Sequence, residues 1–142
     1  MLSTMTSTSL RLSDVLRPGQ TGPLDVDQLL ALRFNLLSVE DKVAVRERGR
    51  PTPDLNMYEE AQSNGKKYKR GFNRSFYDQF DWLSGCDRRN ALFCFPCLMV
   101  KGIRSKFCNE GYTSLGGVQK AMGDHDKSKP HIASCNVVTS WG

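Results

Sequence analysis

The chain is poor in histidine, with only His125 and His131 in 142 residues. It also lacks long apolar runs. The longest, Ala91 to Val100, spans ten residues and contains Pro96, far short of the roughly 20 that a membrane helix needs. Residues 1–9 have neither a basic start nor an apolar stretch, so no signal peptide is expected there. The Ser-rich opening with Arg11 and Arg17 faintly mimics a transit peptide, but Asp14 speaks against one. Five cysteines is an odd number, which argues against a closed set of disulfides in an exported protein. With 39% hydrophobic residues and a mean hydropathy of −0.46, a core filling the whole length is not expected. A smaller folded unit stapled by a metal fits better. No His/Asp/Glu set accompanies a nucleophile, so neither catalysis nor a small-molecule substrate is expected. A soluble, intracellular chain without membrane contact is.

What the chain does have is unevenly placed charge. Residues 1–65 carry a net −2, residues 66–106 a net +7, and residues 107–142 a net 0. The excess rests on Lys66, Lys67, Lys69, Arg70, Arg74, Arg88, Arg89, Lys101, Arg104 and Lys106. A concentrated basic segment attracts polyanions, and DNA is the usual partner. The plainer alternative is a solvated basic face. Lys66-Lys67-Tyr68-Lys69-Arg70 also has the form of a nuclear-import run.

Residues 1–23 are rich in Ser, Thr, Gly and Pro and read as a disordered or loosely attached tail. Residues 24–65 read as short helices and linker. Leu24 to Leu37 predicts one short helix. Ser38 as N-cap, Glu40 and Asp41 in the first turn, and Gly49 after the last turn predict a second. The apolar residues of 24–48 could instead receive a partner helix. Asn73 predicts a cap for a helix that places Phe76 and Phe80 one turn apart, and these rings with Trp82 read as core rather than base-stacking platforms. Residues 82–86 and 91–94 predict two strands joined by the polar turn Asp87-Arg88-Arg89-Asn90. Residues 101–111 read as a loop. After Thr113 or Ser114 as cap, Leu115, Val118, Met122 and His125 fall on one helical face. Ser128 and Pro130 can open a further turn that brings in His131.

Cys94-x2-Cys97 at the exit of the second strand is the commonest zinc-knuckle spacing. The two histidines follow after twenty-seven residues, separated from each other by five. Redox pairs share the C-x-x-C spacing, but no βαβ pattern surrounds this one. Two thiolates and two neutral imidazoles suit tetrahedral zinc, cancel its charge and leave no open position for catalysis. Cys86 and Cys108 read as packed thiols. Cys135 remains an alternative ligand, because His131-x3-Cys135 is also a permitted metal spacing.

Three stretches carry a family resemblance: Lys69-Arg70-Gly71-Phe72-Asn73 to Phe80-Asp81-Trp82-Leu83, Asn90-Ala91-Leu92-Phe93-Cys94-Phe95-Pro96-Cys97, and Gly111-Tyr112 with His125-Asp126-Lys127-Ser128 before His131. Over residues 66–136 the chain resembles the TTF-type zinc finger found at the amino end of hAT-type transposases and of proteins derived from them, including zinc finger MYM-type relatives. The resemblance implies zinc held by Cys94, Cys97, His125 and His131, contact with nucleic acid, and a place in the nucleus. Two departures stand out. Thr113 to Gly117 has no aromatic after the Gly-aromatic step, and no stretch matches the transposase catalytic domain. The expected fold is α+β: a small zinc-stabilised hairpin-plus-helix domain over 66–136, after a short helical and partly disordered amino-terminal region and before a tail at 137–142. The expected function is zinc and DNA binding, or, alternatively, a zinc-stabilised protein–protein interaction module.

Overall fold

The computed structural model describes residues 11–101 and 105–141. Its centre is a short antiparallel hairpin of β3 (Leu83–Cys86) and β4 (Ala91–Cys94), and every residue of both strands is buried. Side chains alternate across a strand. Leu83, Leu92 and Cys94 therefore face one core, and Cys86, Ala91 and Phe93 face another. Two-sided burial explains why β4 is a continuous apolar run rather than an alternating one. Asn90 closes the turn in the left-handed region, at φ 52°.

The first core belongs to the amino-terminal helices. Leu12, Leu24, Val26, Leu29, Leu32, Phe34, Leu37 and Val45 pack with Phe93, Phe95, Leu98, Met99 and Val138. The amino-terminal members come from a 3-10 turn at Leu12–Asp14, α1 (Val26–Ala31), a 3-10 turn at Phe34–Leu36, α2 (Val39–Arg48) and the residues that flank them. Asp25 and Gln28 form a reciprocal capping box on α1. The caps expected on α2 are in place: the Ser38 hydroxyl accepts from the Asp41 amide at 3.1 Å, and Gly49 ends the helix at φ 86°.

Two expectations need correction here. Of the expected tail 1–23, residues 1–10 lie outside the described residues, while Leu12 is buried and its amide donates to Asp41. The apolar side chains of 24–48, which the sequence offered as an alternative partner surface, mostly face the chain's own core. Leu36 and Val39 remain outside at 52% and 49% exposure. The physical reason is the apolar second face of the central hairpin, which these helices cover together with Leu12, Phe95, Leu98, Met99 and Val138.

The second core holds Leu55, Met57, Phe76, Tyr77, Trp82, Leu83, Leu92, Cys94, Cys97, Phe107, Cys108, Leu115, Val118 and Met122. It collects α3 (Ser75–Gln79), α4 (Phe95–Val100) and α5 (Val118–Lys127). The aromatics near Asn73 are core, as expected: Phe76 and Trp82 are buried, and Phe80 packs against the cluster. No side chain caps α5. Gly117 takes that position at φ 74°, in place of the expected Thr113 or Ser114.

The last helix, α6 (Lys129–Ser140), runs through the expected tail at 137–142. Val138 is buried in the first core and Trp141 stacks on Phe34 with centroids 6.2 Å apart. Arg46 on α2 clamps the end of α6 by donating to the carbonyls of Val138 and Trp141 at 3.0 and 2.8 Å.

A second hairpin, like helix α4, has no counterpart in the sequence reading. Residues expected to be linker and basic run form an antiparallel hairpin, β1 (Tyr58–Ser63) with β2 (Lys66–Gly71). Asn64 and Gly65 make its two-residue turn with φ of 51° and 77°. Two positive φ values define the primed turn that matches strand twist.

Candidate metal centre

Cys94 ends β4 and Cys97 lies in the first turn of α4, where Pro96 starts the helix without losing a needed amide. The C-x-x-C spacing thus spans a strand-to-helix corner, which turns both sulphurs to one side. His125 arrives from α5 on the face of Val118 and Met122, with Leu115 just before the helix, and all three are buried. His131 arrives from the first turn of α6, whose N-cap Ser128 accepts from the His131 amide at 3.3 Å.

The four ligand atoms lie within 4.8 Å of one another, and all four residues are buried. Cys94 Sγ is 3.4 Å from His131 Nδ1, Cys97 Sγ is 3.6 Å from His125 Nε2, and Cys97 Sγ is 3.9 Å from His131 Nδ1. Around tetrahedral zinc, a sulphur at about 2.3 Å and a nitrogen at about 2.0–2.1 Å would lie about 3.6 Å apart. The spacing therefore suits a metal ion such as zinc.

The surroundings fit as well. Cys97 is pushed up to about 12: hydrogen bonding from Cys108 lowers it, but the Cys94 thiol and burial raise it more. Two buried thiols this close do not ionise together without a cation between them. The Ser134 hydroxyl, one turn beyond His131 on α6, is buried and lies beside Cys97, yet falls short of hydrogen-bond geometry with any group. A thiolate in the Cys97 position offers that hydroxyl a far better acceptor than a neutral thiol does. Burial, reinforced by the charge of His131, lowers His125 to about 4, and burial lowers His131 too, so both imidazoles are neutral and ready to ligate at neutral pH.

Trp82 wedges against both imidazoles, with centroids 4.8 Å from His125 and 5.2 Å from His131, and its Nε1 donates to Asp126 Oδ1 at 2.9 Å. Phe107 covers His125 at 5.0 Å. These contacts lock the rings, and the sequence offered no sign of Phe107 or Ser134 in this role. Ser134 lies one helical turn from His131, which is the only local hint. Cys135 is outside the cluster: its Sγ is 3.5 Å from His131 Nε2, the nitrogen opposite the one facing the thiols. Cys86 is a packed thiol, while Cys108, also buried, borders Cys97.

The expected basic residues are sorted by the fold rather than gathered on one face. Arg89 Nε and Arg88 Nη1 reach Asp27 on α1 at 2.9 and 3.4 Å. Arg74 pairs with Asp54 at 2.8 Å. Lys101 is exposed as a residue, but its ammonium turns inward to the carbonyls of Leu30 and Leu32, and burial lowers it to about 8. Arg104 lies outside the described residues. Lys106 is exposed, and so are Lys66, Lys67 and Lys69 on β2, with Arg70 beside them half-buried. Among the described residues no helix is long and apolar enough to cross a membrane. No model of a known protein family, no curated protein and no solved structure matches this chain.

Proposed function

We propose that this chain is a zinc-stabilised DNA-binding module of the TTF type, working in the nucleus. The carrying observation is the convergence of Cys94, Cys97, His125 and His131 in one buried cluster of metal-site spacing. All four positions of a tetrahedral ion are then filled by protein, which suits a structural role and leaves none for catalysis. The ion would supply charge balance for the two thiolates and a tie between the central hairpin and helices α5 and α6. The resemblance of residues 66–136 to the TTF-type finger of hAT-type transposases supports the DNA-binding reading, as does the exposed basic strand β2. The interaction-module alternative draws less support, because most apolar side chains of residues 24–48 are used internally.

The test is metal analysis of the purified chain beside a duplex-DNA titration followed by fluorescence anisotropy. One zinc per chain is expected, with micromolar-class affinity that falls steeply with salt. A chain without zinc, or a zinc-loaded chain that ignores duplex DNA at low salt, overturns the reading.

A further inference from the structure

The β1–β2 hairpin is unlike the rest of the molecule. From Gln62 to Lys69 every residue is exposed, so neither face of the ribbon is covered. Its two strands pack chiefly on each other. A two-stranded ribbon without a covered face is marginal in water, and this one is tied at its base by buried Met57, whose carbonyl accepts from the Phe72 amide, and by a carboxylate. Glu59 accepts from the amides of Leu115 and Gly116 at 2.9 and 3.0 Å. Those amides lie just before α5, the helix that delivers His125, so the ribbon's direction is set by the metal unit.

The register distributes the ribbon's side chains. Gln62 pairs with Lys67 and Glu60 with Lys69 on one face, while Ser63 pairs with Lys66 and Ala61 with Tyr68 on the other. Lys66 and Lys67 thus point to opposite sides beside the Asn64-Gly65 turn. Among the described residues, neither they nor Lys69 and Arg70 make an ion pair, whereas Arg74, Arg88 and Arg89 do. Lys69 lies over the Tyr58 ring and Arg70 over the Tyr68 ring, both at 5.4 Å, and the Arg70 guanidinium also rests against Gly116 at the ribbon's base. The unspent positive charge near the turn is complementary to a polyanion whose walls lie on both sides of the ribbon. The major groove of duplex DNA is such a site: it is about 12 Å wide, admits a two-stranded ribbon, and is walled by phosphates on both sides. Six residues per strand give a reach of about 20 Å, more than the groove's depth of about 8.5 Å.

We propose that the β1–β2 ribbon enters the major groove turn first, with Lys66, Lys67 and Lys69 on flanking phosphates and Gln62 on base edges. The assignment rests on the DNA-binding reading and names its contact element. Gln62, two residues before Asn64 of the turn, carries an exposed amide that can donate and accept together, as adenine recognition in this groove requires. Phosphate contacts set affinity and salt dependence, whereas base contacts set sequence preference, so the two groups are separable by experiment.

The experiment uses the full zinc-loaded chain in three forms besides wild type: Lys66→Ala with Lys67→Ala and Lys69→Ala, then Gln62→Ala, then Arg88→Ala with Arg89→Ala. Each is checked for zinc content, titrated with duplex and single-stranded DNA across salt, and used to select sites from a random duplex pool. The triple lysine form should bind far more weakly. Its slope of log affinity against log salt should be shallower by about 0.9 per lost contact, so affinity should drop about 40-fold less between 50 and 200 mM salt. Gln62→Ala should keep most of the affinity and lose the selected preference at one or two base pairs. The Arg88/Arg89 form should bind like wild type. Lysine variants that bind duplex like wild type, a Gln62 variant selecting an unchanged motif, an equal loss in the Arg88/Arg89 form, or a preference for single strands each overturn the ribbon assignment while leaving DNA binding intact. Wild-type chain that holds zinc but binds no duplex at low salt overturns both.

Discussion

Two hairpins share this chain and are held by different forces. The β3–β4 hairpin is buried on both faces and has a core against each. The β1–β2 hairpin is longer, almost wholly exposed, and rests on an Asn64-Gly65 turn and the Glu59 carboxylate. Backbone pairing is the same in kind, so pairing alone explains neither. Packing makes the first the centre of the fold and leaves it no surface for a partner. Turn chemistry makes the second possible without packing and leaves every side chain near its tip available.

Metal removal should separate the two hairpins most sharply. Structural zinc contributes about 10–16 kcal/mol in small fingers, as much as the whole stability of an ordinary domain. Chelation should therefore open β3–β4, and helices α1 and α2 with it, because Phe93, Leu98 and Met99 share a core with Leu29 and Phe34. Amide exchange with and without chelator measures this. Protection that persists in α1 and α2 after zinc loss would show the amino-terminal unit to be independent.

Core truncation comes next. Phe93 is fully buried between the strands and the helices, and Phe93→Ala should cost about 3–5 kcal/mol in a denaturant titration. Tyr68 on the ribbon is 40% exposed, and Tyr68→Ala should stay within about 0.5 kcal/mol.

Acid should act strongly on the metal side. Burial, with the charge of His131, holds His125 at about 4 in the folded chain against 6.5 ordinarily. Between those values the unfolded chain takes up the proton first, so stability present above pH 6.5 is lost as pH falls toward 4. The loss is on the order of 3 kcal/mol for this group, and protonation of the ligating thiolates adds to it. Zinc release followed with a chromophoric chelator should fall in this window. Retention of zinc at pH 4 would contradict it.

The smallest effect expected is local to the ribbon. Gly65 holds φ 77° in the turn, and Gly65→Ala should loosen β1–β2 by about 1–2 kcal/mol. Faster exchange of ribbon amides at unchanged zinc content is the expected result. Equal loosening of β3–β4 would show that the two hairpins are coupled.

The sequence by itself determined the features governed by near neighbours. The corner at Cys94-x2-Cys97, the one-sided placement of Leu115, Val118, Met122 and His125, the Ser38 and Gly49 caps and the β3–β4 turn all follow from spacing or local hydrogen bonding. The Asn64-Gly65 turn was also legible, but Lys- and Glu-rich strands show no apolar alternation, so the flanking residues read as linker and import run. Only the tertiary structure decided the rest. Asp27 meets Arg88 and Arg89 across 60 residues or more, and its one carboxylate offsets part of the positive charge at that turn. Leu12 through Val45 could have formed an open face; they turn inward because the second face of β3–β4 is apolar and is closed only in part by α4 and Val138. The same packing points Nδ1 of His131 at the thiols and Nε2 at Cys135, a choice made by the pose of α6 and invisible in spacing. Local propensities act over a turn of helix or a hairpin loop, whereas burial is settled by competition among all apolar surfaces of the chain at once.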